Sequence, residues 1–392
     1  MEHIEAKHVI VGAGAMGSAA AYQLARRGEP VLLIEQFALG HDRGSSHGAA
    51  RITRHSYADV NYARLMPAAF RAWRELEADS GETLYVRTGG ASFSPSGVDY
   101  AARVAASLTE LGVPHWHGSG RAWNERHPAF NLPDRYDVVF EPDAGMLRAA
   151  RAVALQVEMA RAVGGGRTRV IDESPVLRID LDHDRPVVVT RDARIVAERL
   201  IVSAGAWVKR LLPSLRVNLR PTRQQVLYLR PGDPSAFCVG RFPAFIFKGS
   251  LAGESFYGMA DLQALTVKVA RHDGPECDPD NDDRRIEDDY IHTVRAFLRD
   301  HIPALADAPI GFTEVCLYTV APEEQFQVDF LPGRADVIVA SPCSGHGFKF
   351  SCLIGGVLAD LALSGKTELP VHIWRFAERH YGYESDEIVA KG

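Results

Sequence analysis

The sequence predicts an α/β protein: an N-terminal parallel sheet covered by helices, with a second unit woven into it. Three observations predict this. A short apolar run, a glycine-rich turn and a helical stretch follow one another in "HVIVGAGAMGSAAAYQLARRGEPVLLIEQ" (8–36). A further strand with a small-residue ending, "LIVSAGAW", does not come until 200–207. No clean linker separates the segments, and loop-like composition is confined to 40–51, 163–169 and 230–236.

The chain has 392 residues, enough for two domains or one large domain with an inserted lobe. Hydrophobic and charged contents of 46% and 24% exclude disordered and fibrous classes. A net charge of −6 gives no basic footprint for nucleic acid. No apolar run reaches the roughly 18 residues of a membrane span. The N-terminus begins with charges and lacks the pattern of a secretory leader. Cysteines stand at 238, 277, 316, 343 and 352, odd in number and irregular in spacing. A reducing cytoplasm without a disulfide framework is therefore expected.

In chain order, His8 to Val11 reads as a buried strand, and "AMGSAAAYQLARRG" as a helix stopped by Gly28. "PVLLIE" is a second strand ending on Glu35. Gly12 permits a tight turn, Gly14 lets a pyrophosphate approach the backbone, and Gly17 lets helix and strand pack closely. The helix N-terminus attracts phosphate, and Glu35 can accept both hydroxyls of an adenosine ribose. This is a Rossmann-like dinucleotide site, and its acid argues against a 2′-phosphate, favouring FAD or NAD.

Next comes the loop "LGHDRGSSHGAARITRHSY", then "YARLMPAAFRAWRELEADSG", a long amphipathic helix. Arg51 and Arg54, three apart, share a face if the segment is helical and point apart if it is extended. "SFYGMADLQALTVKVARH" (255–272) reads as strand, turn and strand, and its alternation puts Lys268 and Ala270 on one face. The acidic run 276–289 reads as a solvated loop leading into a helix. "CSGHGFKFSC" (343–352) offers two thiols and one imidazole without a fourth ligand, so no metal is expected there.

At "HVIVGAGAMGSAAAYQLARRG", "GSSHGAARITRHSY", "LIVSAGAW", "EVCLYTVAPEEQFQVDFLP" and "CSGHGFKFS" the chain resembles the monomeric sarcosine oxidase and N-methyltryptophan oxidase family. The match runs in order from about residue 8 to about residue 367. The resemblance implies a two-domain flavoprotein, with 1–85, 150–220 and 315–392 forming the FAD-binding domain. Segments 86–149 and 221–314 would form a substrate domain built on a mostly antiparallel sheet. It also implies a flavin tethered covalently to Cys316, which alone would read as a small buried hydrophobe. A thiolate is the nucleophile such a bond requires.

Beyond the glycines and Glu35, the resemblance counts Ser45, Ser46, Arg51, Val176, Ala204, Gly205, Gly345, His346, Gly347, Phe348 and Lys349 among flavin-binding positions. Gly345 and Gly347 suit a backbone passing beside a flat ring. The helix after them would aim its amides at the ring edge where reduction gathers negative charge. Arg54 and Lys349 would hold a substrate carboxylate. Tyr257, His272 and Tyr318 would shape the pocket, and Lys268 would stabilise charge forming on oxygen. Ser46 and Ala49 depart from the family pattern, which carries histidine and aspartate there; Met259 and Ala260 replace its phenylalanine and proline.

The activity so implied is oxidation of a secondary amine of an amino acid, N-methyl or N-alkyl, with molecular oxygen reduced to hydrogen peroxide. The expected protein is a cytoplasmic monomer without nucleic-acid or membrane partners. Two alternatives are a dehydrogenase passing electrons to a quinone or protein, and a non-catalytic flavin-fold binding protein.

Overall fold

The computed structural model describes residues 1–251, 253–262 and 265–376. Strand Glu2–Val11 alternates in burial over its outer half, while its last four residues are all buried. The cause is cover on both faces. Ile10 packs with helices Ala15–Arg26, Ala149–Gly164 and Ser351–Ser364. Val9 and Val11 pack on the opposite side with Leu212, Leu215 and Val217. Each face contributes apolar area at about 25 cal/mol per Å², so the run is apolar throughout.

This strand pairs in parallel with Val31–Ile34 on one side and Ala193–Val202 on the other. Thr168–Ile171 and Arg334–Ser341 extend the parallel set outward. Gln327–Leu331 and the hairpin Val176–Asp180/Val187–Thr190 complete an eight-stranded sheet in antiparallel fashion. The expected assembly from distant pieces of chain is therefore observed. A side chain on Gly17 would come within 1.8 Å of the Gly12 carbonyl oxygen, so the helix is seated directly on the turn.

A second eight-stranded sheet runs Ile310–Val320, Arg220–Leu229, Val267–Arg271, Ser255–Ala260, Ala244–Lys248, Gly90–Ser94, Asp137–Glu141 and Trp116–Ser119. Every neighbouring pair is antiparallel apart from Ala244–Lys248 with Gly90–Ser94. One face is sealed by phenylalanines against helix Asp288–His301, with Phe256 and Phe297 stacked at 4.2 Å. The other face is free to wall a cavity. Strands Ala50–Thr53, Gly145–Arg148 and Tyr85–Arg87 form a small third sheet.

Helix Val60–Ser80 forms as expected, its first turn capped by Asp59 and its end by left-handed Gly81. Some expectations differ from the structure. The stretch 163–169 is no open loop: helix continues to Gly164 and, after one 3-10 turn, strand begins at Thr168. The acidic run is only partly solvated. Asp282 is 1% exposed and pairs with Arg223 at 3.1 Å, with Asp283 and Glu287 on the same guanidinium. The expected border at 314/315 falls inside Ile310–Val320, and 377–392 lie outside the described residues. Among the described residues, no helix is long and apolar enough to cross a membrane.

Candidate active site

A cavity of about 880 Å³ lies between the glycine turn and the open face of the second sheet. That volume suits a cofactor and a small substrate together. Gly12, Gly14 and Glu35 line it from the N-terminal unit. Ser45, Ser46 and Arg51 line it from the following loop and strand, and Val176, Ala204 and Gly205 from the middle of the chain. Gly17 is outside the wall, buried in the contact between helix and turn.

Glu35 is buried and accepts the amides of Ala13 at 2.7 Å and Phe37 at 3.1 Å. Burial opposes its ionisation, but hydrogen bonds from His41 and these amides hold its carboxyl below the usual range. The Ser46 hydroxyl accepts the Ala15 amide at 3.0 Å, anchoring the loop to the helix start. Arg51 donates to the carbonyls of Ser45 at 3.0 Å, His47 at 2.7 Å and Ala50 at 2.9 Å. Its guanidinium therefore holds the loop closed and lies 5.9 Å from the Phe348 ring.

Strand register explains the opposite wall. Lys268 stands between Tyr228 and Met259, Ala270 stands opposite Tyr257, Cys316 opposite Gln224, and Tyr318 opposite Thr222. With side chains alternating, Tyr257, Lys268, His272, Cys316 and Tyr318 all come to the cavity. The buried Lys268 ammonium donates to the Ala50 carbonyl at 3.4 Å and lies 5.6 Å from the Tyr228 ring centre. Burial, then the Arg51 charge, pushes its pKa down to about 8. Burial pushes the Cys316 thiol up, against the pull of Arg51 and Lys268 toward thiolate.

Gly345 closes the corner where this wall meets the C-terminal motif. Its φ is +76°, and a side chain there would come within 2.4 Å of the Tyr318 ring and 2.5 Å of His272. Tyr318 and His272 meet at 3.5 Å. Burial, followed by the charges of Lys248, Lys349 and Arg54, takes His272 down to about 3. The imidazole is neutral at ordinary pH.

Arg54 follows the extended segment Ala50–Thr53, and the chain bends at His55, so both arginines reach the cavity despite the strand. The Arg54 guanidinium lies 4.5 Å from the Tyr57 ring centre, its Nε and Nη1 buried and without a hydrogen-bond partner among the described residues. Lys349, also buried, donates to the Tyr57 hydroxyl at 2.9 Å and the His346 carbonyl at 2.7 Å. Burial and then Arg54 lower its pKa well below the ordinary value. Two buried cations without a carboxylate within 4 Å among the described residues call for an anion between them. His346 is held by Tyr57 at 3.2 Å and the Glu324 carbonyl at 3.1 Å, with its ring stacked on Phe326. Gly347 and Phe348 also line the cavity.

Sequence reading did not single out Tyr57, His47 or Lys248, all of which line the cavity. Tyr57 sits in "RITRHSY", close enough to Arg54 for the pair to be weighed together, but a loop tyrosine carries no periodic signal. His47 is taken down to about 4 by burial and Arg51. Among the described residues, no three His, Cys, Asp or Glu side chains gather as a metal set. The Cys352 thiol instead takes an N–H of Gln156 at 3.2 Å.

Known proteins bear on this arrangement. Monomeric sarcosine oxidase from Bacillus sp. (strain B-0618) is 33% identical over 377 residues, covering 93% of this chain and 94% of its own. N-methyl-L-tryptophan oxidase from Salmonella arizonae is 31% identical over 379 residues, covering 94% and 99%. The crystal structure of L-proline dehydrogenase from P. horikoshii superposes with a TM-score of 0.83 at 21% identity, covering 95% and 97%, and shares the fold. The sequence profile described as FAD dependent oxidoreductase matches residues 7–361. On that match and on relatives above 30% identity along nearly its whole length, the chain belongs to the FAD dependent oxidoreductase family.

Proposed function

We propose that the protein is a monomeric, cytoplasmic flavoprotein oxidase of secondary amines in amino acids, N-methyl or N-alkyl, forming an imine and releasing hydrogen peroxide. The single observation that carries this reading is the buried guanidinium of Arg54, whose Nε and Nη1 lack partners, beside the Lys349 ammonium in the wall of a large cavity. A carboxylate supplies what both cations lack. The names of the sarcosine and N-methyltryptophan oxidases support the same substrate class.

The residues fit FAD. Gly12 and Gly14 leave the turn open beside a helix N-terminus, and ionised Glu35 is an acceptor for a ribose. Ser45, Ser46, Val176, Ala204 and Gly205 would hold the dinucleotide, and Cys316 would hold the ring through a thioether. When bound, the flavin supplies the acceptor for two electrons.

The protein's own part is orientation and electrostatics. Arg54 and Lys349 would fix the carboxylate. Neutral His272, with Tyr257 and Tyr318, would accept or donate hydrogen bonds at the substrate amine and exclude water from it. Lys268, with its positive charge on the sheet face, would favour transfer of negative charge to oxygen. The two units proposed from sequence would then meet at the reacting groups.

A peroxide-release screen over N-methyl amino acids, pipecolate, proline and sugar-amine adducts tests the reading. Peroxide formed stoichiometrically with the product supports it. Full reduction of a dye in air with little peroxide would make the protein a dehydrogenase, and absence of turnover with every donor would remove the proposed activity.

A further inference from the structure

Arg54 and Lys349 are not the only cations in the cavity. Lys248, the last residue of strand Ala244–Lys248, lines it as well. Register explains why. Ile246 stands opposite Tyr257 and Lys248 opposite Ser255, and these four side chains share the cavity wall. Among the described residues, no carboxylate lies within 4 Å of the Lys248 ammonium, although lysines and arginines elsewhere on the protein find one. Lys248, Lys349 and Arg54 line the cavity together with His272, and their charges help to lower the pKa of its imidazole.

Acids line the cavity as well, from Glu35, Glu158 and Asp280 to Asp59 and Glu324. Asp59, Glu323 and Glu324 are among them, and the charges of Asp59 and Glu324 act on Tyr62, which donates to Gln325 at 3.0 Å. An amino acid has one carboxylate, and the pair Arg54 and Lys349 uses it. A third cation in the same cavity, without a carboxylate within 4 Å among the described residues, has no role toward a substrate whose remaining groups are neutral.

Resting on the reading of the site as one for secondary amino acids, we propose that the preferred substrate is dianionic: its N-substituent or side chain carries a second carboxylate, bound by Lys248. The ammonium at the end of a strand is a specificity-determining group, attracting the second acid.

The test has two arms on the purified holoenzyme. Turnover of N-methylglutamate and iminodiacetate is compared with that of the neutral N-methylglutamine and sarcosine. The acidic compounds are expected to have kcat/KM at least tenfold higher, and Lys248→Met to bring the ratio within about threefold of one, with Lys248→Arg restoring it. Equal kcat/KM for acidic and neutral compounds in the parent overturns the proposal while leaving secondary-amine oxidation intact. Calorimetric titration with succinate, glutarate and adipate against butyrate and valerate needs no turnover. A dicarboxylate binding at least tenfold tighter than its monocarboxylate partner, with the difference lost in Lys248→Met, supports the proposal even if no amine is oxidised. Equal binding of both sets overturns it.

Discussion

The Lys349 ammonium donates to the Tyr57 hydroxyl at 2.9 Å, tying the C-terminal motif to the loop after the first arginines. The same phenol ring lies beneath the Arg54 guanidinium at 4.5 Å. One tyrosine thus positions both proposed carboxylate ligands. Tyr57→Phe keeps the ring and removes the acceptor of a buried cation, worth about 1.4 kcal/mol. KM for carboxylated substrates should rise about tenfold with kcat less affected, as steady-state kinetics would read.

Arg54→Met removes the guanidinium itself. Charge-assisted hydrogen bonds contribute about 1.5 to 3 kcal/mol each, so KM should rise roughly a hundredfold. An unchanged KM would take Arg54 out of the substrate site.

Cys316→Ser should yield protein whose yellow colour stays in the supernatant on acid precipitation. In the parent the colour should remain with the pellet, and digestion should place it on the peptide around position 316.

Lys268 titrates near 8 because burial disfavours its charge. The charge is present below that pH and lost as pH rises through it. Reoxidation of the reduced enzyme by oxygen, followed by stopped flow, should slow above pH 8. Lys268→Met should be slow and flat across the same range; a parent rate that stays constant to pH 9.5 would end the assignment.

His272 remains neutral in the folded protein down to about pH 3, whereas the unfolded chain takes up a proton near 6.5. Between those values the unfolded state binds more protons, so stability falls as pH falls. In urea melts at pH 7 and pH 5, His272→Gln should lose about 1 to 2 kcal/mol less than the parent on acidification.

The parallel sheet was legible because Gly12, Gly14, Gly17 and Glu35 encode a turn whose sterics admit few alternatives. The strand 200–207 announced itself by apolar content, but its place beside His8 to Val11, opposite the side taken by Val31–Ile34, is set by folding. The acidic run misled because sequence records charge and not partner: Arg223 lies some sixty residues from Asp282, and only folding makes the pair buried. Lys248 escaped notice for a similar reason. Its strand reads "AFIFK", where a terminal lysine looks solvated, and only the pairing of Ile246 with Tyr257 turns that end toward the cavity. Tyr57 needed the three-dimensional meeting of residues nearly three hundred positions apart.

The strand Glu2–Val11 acquires a partner, Val31–Ile34, early in synthesis, but its other partner is Ala193–Val202, which waits in turn for Arg334–Ser341. A ribosome must therefore deliver most of the chain before this sheet is closed, and the wall carrying Lys349 arrives last of all. Until then Val9, Ile10 and Val11 present an uncovered apolar edge that other nascent chains can capture. The cavity, lined from Gly12 to Lys349, is thus complete only when nearly the whole chain has been made.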